Sequence, residues 1–377
     1  MTKVLVVDDS TLMVKLLSDI INGDPALCVI GTASNGYEAL QKTKTLRPDV
    51  ITMDVNMPRM DGLKAVEHIM SVIPTPIVMI SSLTQKGATM TVQALNLGAI
   101  DFVPKPSGYV SLDIEELTTE IVAKIKLASK IRVVRTVKHT VPRSARQSEA
   151  KKLLTKRPET AFEVALRYTL SQISPASLRY EKVVAIGCST GGPQALNEIL
   201  RRFPIDFPAP ILIVQHMPEK FTEKLAALLN SRIELAVVEA KEGMKLQRGI
   251  VYIAPGAYHM TIRPERTVSL ISKAASVPLP CPSVDMLMQS VAEVFGKNAI
   301  GVLLTGMGDD GVLGMNAIKD AYGATIAQDE ETSLVFGMPR MAIESGCIDS
   351  IAPLERIADE VIELIGISNA FSQFQKK

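Results

Sequence analysis

Two stretches hold potentially reactive side chains in a suggestive setting. Near the start, Lys3-Val4-Leu5-Val6-Val7-Asp8-Asp9 ends an apolar run in a pair of carboxylates. More than a hundred residues later, VVAIGCSTGG sets Ser189 in a glycine turn between an apolar run and a helical pattern beginning near Pro193. A carboxylate pair at a strand end can hold a cation and help receive a phosphoryl group. A serine on a strand-to-helix turn, near free N–H groups and the positive end of a helix dipole, can act as a nucleophile. Together they point to acyl-transfer chemistry under phosphoryl control.

The serine turn admits two readings. It could cradle a phosphate, but its spacing is neither G-x-G-x-x-G nor the lysine-bearing P-loop, and it does satisfy G-x-S-x-G. A nucleophilic serine needs a base and an orienting acid. Of the four histidines, His216 directly follows PILIVQ, the next strand-like run, and so should neighbour Ser189 across a sheet. His259, after VYIAPGAY, is the rival base; His68 falls in a helix and His139 in a basic stretch. TGMGDDG, after IGVLL, offers Asp309 and Asp310; helix capping is their ordinary role, and Asp310 is chosen as the orienting acid, Asp309 as a loop residue. Backbone N–H groups near Thr190 and Met307 could support an oxyanion. Cys188 reads as a small core residue rather than a thiol nucleophile. The order Ser, His, Asp differs from the Ser, Asp, His order of α/β-hydrolases.

The first site draws on more than Asp8 and Asp9. In open parallel sheets ligands sit at the carboxyl ends of strands. Asp54 ends DVITMD, Ser81 and Ser82 end PIVMIS, and Lys105 follows DFVP. Three carboxylates brought close repel one another unless a cation lies among them, and an all-oxygen set suits Mg²⁺. Lys105 would then hold a phosphate oxygen. Any one strand-end aspartate alone could be a helix cap.

These placements require particular elements. Residues 1–130 alternate β-branched runs with helical patterns at 12–21 and near 37–46, 62–71, 88–97 and 113–130, giving five βα units and one doubly wound domain. Apolar strands separated by helices imply a parallel sheet covered on both faces. Residues 131–180 lose this pattern, carry eleven Lys/Arg against three acids, and read as a basic linker with one possible helix at 160–172. From 181 to 377 the alternation resumes as a second parallel α/β domain, with helices near 193–201, 219–230, 284–295 and 311–321 and a hairpin expected near 250–271. The expected fold class is therefore α/β, two doubly wound parallel-sheet domains, flavodoxin-like then Rossmann-like, joined by a linker.

Composition narrows the classes. The 377 residues fit two domains, and 47% apolar residues with no Trp call for aliphatic cores. A formal charge of +1 gives no general attraction for a polyanion. Cys28, Cys188, Cys281 and Cys347 form no C-x-x-C pair, and neither a secretion signal nor an apolar run long enough to span a bilayer is visible, so a reduced, cytoplasmic setting is expected. A DNA-binding regulator is disfavoured by the absence of a helix-turn-helix pattern, and a non-catalytic adaptor by the intact Ser, His and Asp set.

Residues 1 to about 125, with MDVNMPRMDG around Asp54 and the ending DFVPKP, resemble the receiver domain of two-component response regulators. That resemblance implies a histidine kinase as phosphoryl donor to Asp54. It also implies Mg²⁺ held by Asp8, Asp9 and Asp54 with the backbone of Asn56, Ser81 rather than Ser82 as the switch hydroxyl, and Lys105 as the phosphate-sensing lysine. Residues 181–365, through IGCSTGGPQAL, VQHMP, VYIAPG, LLTGMGDDG and AQDEETSLVFGMPRMAIESG, look like the catalytic domain of chemotaxis protein-glutamate methylesterases of the CheB type. This second resemblance implies hydrolysis of glutamyl methyl esters on cytoplasmic helices of chemoreceptors, with deamidation of particular glutamines. Ser189, His216 and Asp310 would be catalytic, no cofactor would be needed in that domain, and the unphosphorylated receiver would pack over the active site. A monomer recruited to receptor arrays, without nucleic-acid partner or membrane insertion, is the matching expectation. The linker is long for the family, and Asp309 stands where the family often has Asn.

Overall fold

Five strands build the first sheet, the central β3 and β4 buried throughout and the edge strand β2 only partly buried: β1 (Thr2–Val7), β2 (Leu27–Ala33), β3 (Val50–Asp54), β4 (Ile77–Ser81) and β5 (Asp101–Pro104). In the computed structural model, which describes residues 1–105, 114–131, 181–272 and 280–366, they pair in parallel in the order β2-β1-β3-β4-β5. Helices α1 (Thr11–Asn22), α2 (Gly36–Leu46), α3 (Gly62–Val72), α4 (Gln85–Asn96) and α5 (Ile114–Ala128) cover the faces. Their starts follow from side-chain caps. Ser10, Asn35, Asp61 and Thr84 each accept a backbone N–H of the first turn.

The second domain has seven parallel strands in the order β14-β13-β12-β6-β7-β9-β8. They are β6 (Val183–Cys188), β7 (Ile211–Gln215), β8 (Ala236–Glu239), β9 (Ile250–Ile253), β12 (Ala299–Leu303), β13 (Ala324–Gln328) and β14 (Ser350–Ala352). A separate antiparallel hairpin pairs β10 (Tyr258–Ile262) with β11 (Val268–Ser272). The helices are α6 (Gly192–Leu200), α7 (Phe221–Asn230), α8 (Val284–Phe295), α9 (Val312–Asp320), α10 (Met338–Glu344) and α11 (Leu354–Ile365).

The two-domain parallel α/β fold matches the expectation, with local differences. The hairpin spans 258–272 rather than 250–271, because GIVYIAP is apolar on both faces and β9 joins the main sheet beside β7 and β8. The short elements α10 and β14 and the final helix α11 lie beyond ATIAQD, where the sequence pattern predicts no element. The expected linker, its helix at 160–172 and the chain beyond 366 lie outside the described residues.

Both sheets reverse their strand order between two central strands, β1/β3 in the first and β6/β12 in the second. Such switch points open a crevice at the carboxyl ends. The first holds Asp8 and Asp54, the second Ser189 and the loop after β12.

The domains pack directly on one another. One apolar cluster runs from Met53, Val92 and Leu95 through Phe102 into Leu196, Phe221 and Leu225. Phe102 and Phe221 stack with ring centroids 4.6 Å apart and planes 10° apart. Gln194 on α6 donates to the Leu95 and Ala99 carbonyls at 2.7 and 2.9 Å, and Arg232 bonds Asn96 at the end of α4.

Candidate active site and phosphoryl site

Register brings the serine and the histidine together. Cys188 at the end of β6 pairs with Gln215 at the end of β7, so Ser189 and His216 are the next residues along adjacent strands. The backbones stay joined past the strand ends: His216 N donates to Cys188 O at 3.1 Å, and Ser189 N to Thr305 O at 3.0 Å. The chain then turns sharply, with Gly191 at φ 82°, a conformation that disfavours a side chain, and a Cβ there would stand 2.7 Å from that of Leu334. Pro193 opens α6 immediately afterwards.

Gln215 clamps this turn. Its amide donates to Ser189 O at 2.9 Å, and its Oε1 accepts from Cys188 Sγ at 3.1 Å. A Cβ at Gly192 would lie 1.9 Å from that oxygen, so the position has no room for a side chain. Cys188 is fully buried, and burial pushes its thiol far above the range in which a thiolate forms.

Asp310 reaches His216 from the loop after β12, with His216 Nε2 and Asp310 Oδ2 2.7 Å apart. Nδ1 is then the ring nitrogen that Asp310 does not engage. Asp310 is buried, and its oxygens also accept from Ser283 Oγ (3.0 Å), Val284 N (2.7 Å) and Asp285 N (3.0 Å) at the start of α8. Burial alone would raise its pKa, but the bond and charge interaction with His216, together with the helix N–H groups, hold the carboxyl below the usual range. Asp309 is exposed in the same loop, and Met307 is half exposed. His259 is buried on β10 and paired in register with Ile271. The Thr190 side chain is buried against the other domain, its hydroxyl bonded to Asp101 Oδ2 at the start of β5.

In the first domain Asp8, Asp9 and Asp54 can place carboxylate oxygens within 4.8 Å of one another, Asp8 and Asp54 buried and Asp9 exposed. Lys105 Nζ spans two of them, 2.7 Å from Asp8 Oδ2 and 3.0 Å from Asp54 Oδ1. Burial pushes Asp54 upward and outweighs the opposing pull of Lys105; for Lys105, burial is outweighed by the two acids, which raise it. One ammonium against three carboxylates leaves a net negative, all-oxygen pocket, the donor set of a hard divalent cation. Ser81 is fully buried at the end of β4, whereas the Ser82 hydroxyl lies 3.2 Å from that of Thr84, the cap of α4. Asn56 is exposed beyond β3.

Comparison with known proteins identifies the family of each domain. Residues 184–361 match the CheB methylesterase family and residues 4–121 the response regulator receiver domain. A protein of Pyrococcus horikoshii named protein-glutamate methylesterase/protein-glutamine glutaminase is 46% identical over 97% of this chain and 94% of its own. One of Carboxydothermus hydrogenoformans with the same name, numbered 2, is also 46% identical, over 96% of this chain and 99% of its own. The chain belongs to the CheB methylesterase family.

Sequence reasoning missed several residues around the candidate site. Gln215 stood inside the quoted VQHMP, yet nothing in its type shows that it would hold the serine turn. Ser283 and Asp285 start α8, far along the chain from Asp310, and only the tertiary fold joins them. Asp101 and Gln194 act across the domain boundary, which no local pattern encodes.

Proposed function

We propose that this chain hydrolyses γ-glutamyl methyl esters on the cytoplasmic helices of chemoreceptors and deamidates particular glutamines there, its rate set by phosphorylation of Asp54. The His216–Asp310 pair, placed beside Ser189 by the β6/β7 register, carries this reading. Ser189 Oγ attacks the acyl carbon while His216 Nδ1 takes the proton, Nε2–H being held by Asp310. The same nitrogen returns the proton to the departing methoxide, or to the amine in deamidation. Water then repeats the cycle on the acyl-enzyme. Among the described residues the N–H groups of Thr190 and Met307 have no hydrogen-bond acceptor, which supports them as oxyanion donors; such a donor is worth about 3–4 kcal/mol.

In the receiver, Asp8, Asp9 and Asp54, with the Asn56 backbone, would hold Mg²⁺, whose chemistry there is to neutralise the incoming phosphoryl group. Asp54 is its acceptor from a histidine kinase. Ser81 ends the neighbouring strand β4, Lys105 follows β5 one strand further and bonds Asp54, and the two register the new charge. The receiver packed against α6 and α7 is the restrained state, and phosphorylation shifts the population away from it. Methanol release from methylated receptor fragments tests the reading. Ser189→Ala must lose it, Asp54→Asn must stop responding to acetyl phosphate, and retained release by the alanine variant defeats the proposal.

A further inference from the structure

Helices α8 and α9 exchange their capping acids. An aspartate just ahead of a helix ordinarily caps that helix. Asp310 lies just ahead of α9 but gives its oxygens to α8, accepting from Ser283 Oγ, Val284 N and Asp285 N as well as from His216. The start of α9 is left without a cap of its own, since Gly311 occupies that position. Its donors are met from the other helix: Asp285 Oδ1, in the first turn of α8, accepts from Gly311 N and Gly314 N, both at 2.8 Å. The two glycines allow the approach. A Cβ at Gly314 would stand 3.2 Å from Asp285 Cα, and one at Gly311 3.1 Å from Val284 Cγ1.

The loop that carries Asp310 is conformationally permissive, with Gly308 at φ 97° and Gly311 at φ 111° on either side of the acid. The crossed bonds fix its carboxyl-terminal end. We propose that Asp285 is a positioning residue of the acyl-transfer site, which by holding the start of α9 sets where the Asp310 carboxylate, and through it the His216 ring, stands. This rests on the reading of Ser189, His216 and Asp310 as catalytic. Asp285 touches none of the reacting atoms, so its effect appears in turnover rather than in substrate binding. Asn retains an oxygen that can accept both N–H groups, Ala retains none, and Glu retains them one methylene too far out.

The test is steady-state methanol release by the full chain on methylated receptor fragments, with circular dichroism melting to establish that each variant is folded. Asp285→Ala and Asp285→Glu should each lose on the order of ten- to a hundred-fold in kcat. Their KM should stay within about two-fold, and Asp285→Asn should recover most of the rate. A folded alanine or glutamate variant at wild-type kcat overturns the proposal, as does an asparagine variant as impaired as either. If the alanine variant does not fold, the Glu and Asn pair decides by the same criteria. Ser189→Ala runs alongside: activity retained there refutes the catalytic reading, whereas its loss together with normal Asp285→Glu refutes only the positioning role.

Discussion

At the residue scale, the chemistry of the output domain depends on which nitrogen of His216 is committed. Asp310, kept ionised by His216 and the N–H groups of α8, accepts from Nε2, and in the proposed mechanism the lone pair of Nδ1 takes the serine proton. Asp310→Asn would present an amide N–H to Nε2 and force the proton onto Nδ1, where it blocks the base. A fall in kcat on the order of 10³- to 10⁴-fold, with little change in KM, is expected from initial-rate measurements. Ser189, His216 and Asp310 could be picked out because each follows an apolar strand-like run, so strand ends alone suggested their meeting. The supports of Asp310 could not, because Ser283 and Asp285 are ordinary helix-start residues by type. The same limit hid Gln215.

At the element scale, the alternation of largely buried strands with helices was legible because apolar runs and helical spacing of apolar residues are local signals. The last part of the chain was less legible: β14 is three residues long and α10 seven, too short for a period to show. Tertiary bonds hold such pieces. Asp349 joins β14 to β13 by accepting from Thr325 N at 3.0 Å and Thr325 Oγ1 at 2.8 Å. Burial pushes its carboxyl up, but the Thr325 bonds and Lys319 prevail and hold it below the ordinary value. A depressed folded-state pKa gives stability that is present above the unfolded value near 3.8 and is lost as pH falls through the lower folded value. Asp349→Asn should therefore lower the melting temperature at pH 7, and the difference from wild type should close on acidification below about pH 4. Melting curves across that range check it, and a constant difference would contradict the assignment.

At the scale of the whole molecule, α4 links the two sites. Its cap, Thr84, follows Ser81 and Ser82 at the phosphoryl pocket, and its far end presents Leu95 and Asn96 to Gln194 and Arg232 of the second domain. Twelve residues of helix span about 18 Å. Neither contact was visible in the sequence, because Asn96 and Arg232 are polar surface types in their own domains. Asn96→Ala removes one interface bond without touching either pocket, and basal methanol release should rise roughly two- to ten-fold as the restrained population falls. An unchanged basal rate would place the restraint elsewhere. In the proposed function Ser189 carries the acyl group while the receiver governs access to it. Rapid-quench mass spectrometry of the Ser189 peptide during turnover of a methylated receptor fragment, with and without acetyl phosphate, reads both at once. The prediction is a glutamyl adduct on Ser189 that forms faster with the phosphoryl donor; methanol release with that peptide unmodified throughout would contradict it.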